Sequence, residues 1–333
     1  ERLTSHWSYL KRRFNEEHLI SMQGSPPNLA IDDAGWDVMC YLTMYRITGD
    51  IYALKCARSA ILNSYEYYAR DKTDLSKGLW YCDEQQYNGD QWMSIYTASL
   101  VITALDYCSI TKGTAYFDQK LYDDTMTVYR WMEATFCRDK VKTYENGMQD
   151  GRSYTVNTVD SLYWCDFNVN RSGRDEKNGP DGGLRPNDIT ANGSVSSLFG
   201  NMAMAAINAK LYRMTNDTKY KTKSLKTIAG ITKTYKNNAG AYINDRDYGT
   251  NSAFVNAYII DALTLPGVTQ QDVNLLANTG YVLARNGKYA DGYYRTNWLS
   301  SNISTMNSPS RSRRLVYTAT TVHMICGAAL VKK

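Results

Sequence analysis

The sequence predicts an all-α chain assembled from repeated helix pairs, and three observations carry that reading. Apolar residues recur at helical spacing along most of the chain, while few segments alternate with period two. Helices that are apolar on every side alternate with amphipathic ones. The joints within the pairs repeat in sequence. Internal repeats of this kind stack their apolar faces into either a closed α/α toroid or an open solenoid.

The first helical pattern runs from Thr4 to Ile20. From Ile31 to Ile47 the apolar residues Ala34, Trp36, Val38, Met39, Cys40, Leu42, Met44, Tyr45 and Ile47 surround the axis, which predicts a helix buried on every side. Between Ile51 and Tyr68 the residues Leu54, Ala57, Ile61 and Tyr65 share one face, and Lys55, Arg58 and Glu66 point elsewhere: an outer helix. The alternation continues with Trp92 to Ile110 as an inner helix and Phe117 to Phe136 as its outer partner. Ser194 to Met214 then pairs with Tyr220 to Tyr235, Ala253 to Leu265 with Asp272 to Arg285, and Leu315 to Leu330 is a last inner helix.

The segment Met44-Tyr-Arg-Ile-Thr-Gly-Asp50 returns as Leu211-Tyr-Arg-Met-Thr-Asn-Asp217, with a weaker copy at Thr111-Lys-Gly113. Gly or Asn past a helix end supplies the left-handed residue that closes it. The Asp that follows caps the outgoing helix. From 139 to 190 the helical signal lapses into a long insertion rich in Gly, Asn, Asp and Tyr. An insertion of this length reads as a functional or mobile loop. Asp175 to Asp181 lacks the ligand spacing and terminal Glu of a calcium loop, so no metal is assigned there.

Composition narrows the function. The net charge is +5 over 333 residues and the cations are scattered, so a nucleic-acid partner is disfavoured. No apolar stretch is long enough to span a bilayer. Seven cysteines without a C-x-x-C pair, and three unclustered histidines (His6, His18, His323), offer no metal or redox site. Cys40, Cys56, Cys108 and Cys326 lie in apolar helical runs, where a free thiol packs as a small hydrophobe. The chain has 28 Tyr and 7 Trp against 6 Phe, a bias toward rings that carry a hydrogen-bonding tip and suit polar ligands such as sugars. No cofactor is called for. The chain starts at Glu1 rather than Met, and a removed signal segment with an extracellular or cell-surface location is the expectation, as is a monomer.

The informative residues are Asn28-Leu-Ala-Ile-Asp-Asp-Ala-Gly-Trp-Asp37. Alone, Asp32 and Asp33 are accounted for by capping and by the helix dipole. Three features argue for more. The helix reads as internal, so its acids should face a cavity. Trp36 lies one turn away as a sugar platform, and Asp37 adds a third carboxylate on the face of Asp33, where like charge raises a neighbour's pKa. Glycosidic cleavage needs one acid to protonate the leaving oxygen and a second to attack or to activate water. Further polar and aromatic clusters precede inner helices: Tyr87-Asn88-Gly-Asp90-Gln-Trp92, Asn187 to Gly193 with Asn192, and Asp247 to Asn251. In a toroid these starts converge on one rim with Asp32. The second acidic pair, Asp123-Asp124, falls on an outer helix beside Lys120 and Arg130 and reads as a solvated face.

Ile31-Asp-Asp-Ala-Gly-Trp36, Tyr45-Arg-Ile-Thr-Gly-Asp50 and Tyr52-Ala-Leu-Lys-Cys-Ala57 resemble the signature of glycoside hydrolase family 76, the α-1,6-mannanases and related enzymes. The resemblance continues through Gly78-Leu-Trp80, Asn88, Tyr129-Arg-Trp131, Asn192-Gly193, Leu211 to Asp217, Phe254, Asn278 and Trp298. It implies one (α/α)6-barrel catalytic domain over residues 1–333, here with a shortened first helix pair. It also implies retention at the anomeric carbon without a metal, Asp32 as nucleophile and Asp33 as general acid/base. The substrate it implies is an α-1,6-linked mannan or a related α-mannoside polysaccharide. Trp36, Asp37, Tyr87, Asn88, Asp90, Asn192 and Trp298 are the candidate substrate contacts. Two alternatives stay open: another α/α-barrel glycanase, lyase or transglycosylase, and a non-catalytic glycan-binding helical protein.

Overall fold

The computed structural model describes residues 5, 7, 8, 11, 30–81, 91–137, 143–144, 154–155, 161–163, 166–169, 184–186, 198–236, 240–242, 258–286, 326 and 329. Contacts divide the chain into two compact units, Glu1–Val159 with Trp164–Val195, and Asp160–Tyr163 with Ser196–Lys333.

In the first unit α1 (Ile31–Thr48) and α2 (Ile51–Tyr68) form one hairpin. A second hairpin follows, α3 (Ala98–Thr111) and α4 (Gln119–Phe136). Helix α3 is buried on every side through Cys108, as its sequence predicts. Helices α2 and α4 bury one face each. On α4, Asp123 and Asp124 bond Gln119 and Lys120 one turn earlier, so this acidic pair is part of a solvated face. Helix α1 departs from expectation. Ile31, Ala34, Gly35, Val38 and Leu42 are buried against α2 and α3, but Asp33, Asp37, Cys40, Thr43, Arg46 and Ile47 form an open stripe. Apolar content predicted burial all round. Asp33 and Asp37, four apart, and Arg46 lie on that open face instead, and Cys40 and Ile47 share it. Cys326 is likewise exposed, whereas Cys56 and Cys108 are buried.

The region read as a loop insertion contains short strands. β1 (Gln91–Ser94) pairs antiparallel with β4 (Asp166–Val169), which pairs with β5 (Leu184–Pro186); β2 (Thr143–Tyr144) pairs with β3 (Tyr154–Thr155). Trp92, expected to open an inner helix, is therefore in a strand. Pairing with β4 extends its backbone, and Ser94 then accepts from Tyr96 N at 3.2 Å to start the 3-10 turn Ile95–Thr97 that leads into α3.

In the second unit α5 (Leu198–Thr215) and α6 (Thr218–Thr234) form the next hairpin, with helical residues 258–263 and α7 (Gln270–Asn286) after it. The repeated joint has repeated geometry. Gly49 and Asn216 are left-handed at φ 70° and 59°. Their amides donate to Tyr45 O at 2.8 Å and Tyr212 O at 2.7 Å. Asp50 and Asp217 each accept from the amide two residues on, at 3.0 Å. The arginine of each copy reaches the next inner helix: Arg46 bonds Asp106 on α3 at 2.6 Å, and Arg213 bonds Thr264 at 2.7 Å and the Asp261 carbonyl. Among the described residues no helix is long and apolar enough to cross a membrane.

Candidate active site

The first turn of α1 is built without a side-chain cap. Ala30 is the extended N-cap residue, and Ile31 N donates instead to the Tyr81 carbonyl at 2.8 Å. Asp32 and Asp33 thus follow the cap, at the electropositive end of the helix; Asp33 accepts from the Ala30 amide as in a capping box, and capping leaves Asp32 unexplained. Successive helical residues point about 100° apart, so the two carboxylates meet different surroundings.

Asp32 is 6% exposed and its Oδ1 makes no hydrogen bond. Burial pushes its pKa up to about 7, with a further rise from the Asp33 charge; a hydrogen bond from the Tyr81 hydroxyl works the other way. Asp33 reaches solvent, and its pKa is raised by partial burial against a main-chain hydrogen bond from Ala30. Asp37 also reaches solvent, and its pKa is raised to about 6 by desolvation and then by Asp33. The arrangement holds a proton near neutrality beside an open carboxylate, which suits paired acid/base work.

Two contacts lock this turn in place. Gly35 abuts α3 so closely that a Cβ there would stand 2.7 Å from the Ser99 carbonyl carbon and 2.9 Å from Leu100 N. Ser99 Oγ donates to Tyr96 O at 2.9 Å and lies 3.4 Å from the Asp32 carbonyl oxygen. On the other side, residues 78–81 are strapped to the end of α2 through Arg70 N to Gly78 O at 3.0 Å and Trp80 N to Tyr68 O at 2.8 Å. Gly78 sits at φ 91°, with the Trp131 ring where a side chain would go.

Of the predicted site residues, the structure groups Asp32, Asp33, Trp36 and Asp37 on one helix, with Trp36 half-buried. Tyr87, Asn88, Asp90, Asn192 and Trp298, and the clusters Asn187 to Gly193 and Asp247 to Asn251, lie outside the described residues. Tyr81, Gly35 and Ser99 were not singled out from sequence. A glycine inside a helical run was a usable sign of close approach. Tyr81 directly follows the Gly78-Leu-Trp80 stretch already noted. A cavity of about 480 Å³ between α2, α3 and the α3–α4 turn, lined in part by Arg58, Tyr107, Tyr116 and Asp118, does not include Asp32, Asp33 or Asp37. Tyr107 lies about 12 Å along α3 from Ser99.

No protein-family profile and no curated protein sequence matches the chain. Solved structures do. The family 76 α-1,6-mannanase of Salegentibacter sp. HEL1_6 matches with a TM-score of 0.64 and 15% identity over 92% of this chain and 77% of that one. An inactive variant of that enzyme, with two consecutive aspartates replaced by asparagine, was solved with α-1,6-mannotriose and matches at 0.63. A family 76 α-mannanase from Bacteroides thetaiotaomicron matches at 0.61 and 15% identity over 90% and 70% of the two chains. A cellobiose 2-epimerase from Bacillus thermoamylovorans matches at 0.53 and 15% identity over 80% and 63%. The chain therefore has the α/α-barrel fold of the family 76 glycoside hydrolases.

Proposed function

We propose that the protein is a retaining glycoside hydrolase that cleaves α-1,6-linked mannan or a related α-mannoside polysaccharide, with Asp32 and Asp33 as its catalytic pair. The observation that carries this reading is the contrast between the neighbours: Asp32 is buried with its pKa raised to about 7, and Asp33 is open to solvent. A helix start needs no such contrast, whereas bond cleavage between sugars does. Replacement of two consecutive aspartates in the inactive mannanase with the same fold supports the same residues.

The resemblance gives Asp32 the attack on the anomeric carbon and Asp33 the proton transfers. Burial of Asp32 supports a second assignment, in which Asp32 holds the proton in the free protein and Asp33 attacks. The two residues titrate as a pair, so a single profile of rate against pH does not separate them. A slow fluorinated α-mannoside that traps the glycosyl-enzyme, followed by peptide mapping, identifies the nucleophile directly.

The function itself is tested on α-1,6-mannan, branched mannan and unrelated polysaccharides, with product size and anomeric configuration recorded. Release of α-configured reducing ends from mannan supports the proposal. An ultraviolet-absorbing unsaturated product would show a lyase, and mannan binding without cleavage a non-catalytic protein.

A further inference from the structure

Tyr81 holds the first turn of α1 at both main chain and side chain. Its carbonyl accepts from Ile31 N at 2.8 Å, its hydroxyl donates to the Asp32 carboxyl group, and its ring lies against Tyr96 with centroids 6.0 Å apart. The strap that carries it is itself fixed, by the pairing of Ala69 with Leu79 and by Gly78 against Trp131. We propose that Tyr81 is the positioning residue of the carboxylate pair: it fixes the first turn of α1 and orients the Asp32 side chain within it.

The proposal rests on reading Asp32 and Asp33 as the catalytic pair, and it goes further by naming what tunes them. Among the described residues, the titratable groups that act on Asp32 are Asp33 and Tyr81. Asp33 comes from its own helix and Tyr81 from the strap, while Asp37, one turn on, is itself raised by Asp33. From α3 the Ser99 hydroxyl, which does not titrate, approaches the Asp32 main-chain carbonyl, and Asp106 is engaged by Arg46. Burial and Asp33 both favour protonated Asp32; the Tyr81 hydroxyl is the side-chain donor that opposes them. A donated hydrogen bond stabilises the carboxylate over the acid, so its loss must raise the pH at which Asp32 ionises.

The test is Tyr81→Phe in the full chain, which keeps the ring and the carbonyl contact and removes the hydroxyl. Carbon-13 NMR of the aspartate carboxyl groups, assigned with Asp32→Asn, reads the Asp32 midpoint without substrate. We expect it to move up by about one unit, the size of a hydrogen bond to a charged group. The activity profile of the pair should move with it, kcat falling and KM little changed. Should the variant not fold, site-specific 3-fluorotyrosine at position 81 is a stronger donor of the same shape and should move the midpoint down. An Asp32 midpoint that ignores both substitutions overturns the proposal, whatever happens to melting temperature. Because the midpoint needs no substrate, the two ideas separate. A shifted midpoint in a chain that cleaves no glycan refutes only the enzymatic reading, and an unshifted midpoint in an active mannanase refutes only the role of Tyr81.

Discussion

Gly35 and Ser99 touch main chain to main chain: a Cβ on Gly35 would stand 2.7 Å from the Ser99 carbonyl carbon. This contact lets α1 lie directly on α3, and it falls one turn from Asp32. The obstacle to any side chain is backbone, which cannot swing aside.

Gly35→Ala should therefore push the first turn of α1 off α3. We expect a loss of about 1–3 kcal/mol, as for overpacking of a well-packed interior, together with a fall in activity. Gly49→Ala is the comparison. Nothing lies within 4 Å of a Cβ there, and the cost comes only from φ +70°. Its penalty should be about 1–2 kcal/mol with activity retained. Denaturant melts and rates on mannan read both; equal activity in the two variants would show that the α1–α3 contact does not position the site.

Asp32→Asn and Asp33→Asn should each lower kcat by about a hundredfold or more while the far-ultraviolet circular dichroism stays native. Full activity in either variant would remove the paired-carboxylate reading.

The buried acid also predicts an unusual pH dependence of stability. Burial pushes the Asp32 carboxyl up to about 7 in the folded protein, well above its ordinary value of 3.8. Between those pH values the folded state holds the proton more tightly, so this group's contribution to stability falls as pH rises and is fully unfavourable above about 7. Asp32→Asn should thus raise the melting temperature by about 2 °C or more at pH 8 and have a smaller effect near pH 4. A gain of the same size at both pH values would rule out the linkage. A more stable and less active variant is the expected signature of a strained catalytic group.

The two arginines of the repeated joint should differ in worth. Asp106 is 1% exposed, so Arg46→Met withdraws a cation from a buried carboxylate and should cost about 1–3 kcal/mol. Asp261 has a side chain 49% exposed, and its ion pair with Arg213, at 3.9 Å, should contribute about 1 kcal/mol or less. Double-mutant cycles on the two pairs measure this, and equal coupling energies would contradict the burial argument.

Local signals set the helices. The α2 boundaries, the amphipathic outer faces, the all-round burial of α3 and the turn shared by Gly49-Asp50 and Asn216-Asp217 were legible because helical period, left-handed closure and Asp capping act over a few residues. The Asp32-Asp33 pair was legible for the same reason: two acids opening an apolar helix conflict locally. Only the tertiary structure decided which of the two is buried, that Cys40 and Ile47 lie on an open stripe, that Trp92 pairs with a strand, and that Tyr81, distant in sequence, bonds Asp32. Burial and hydrogen bonding depend on which neighbour arrives at each face, and no short-range pattern in the chain carries that information.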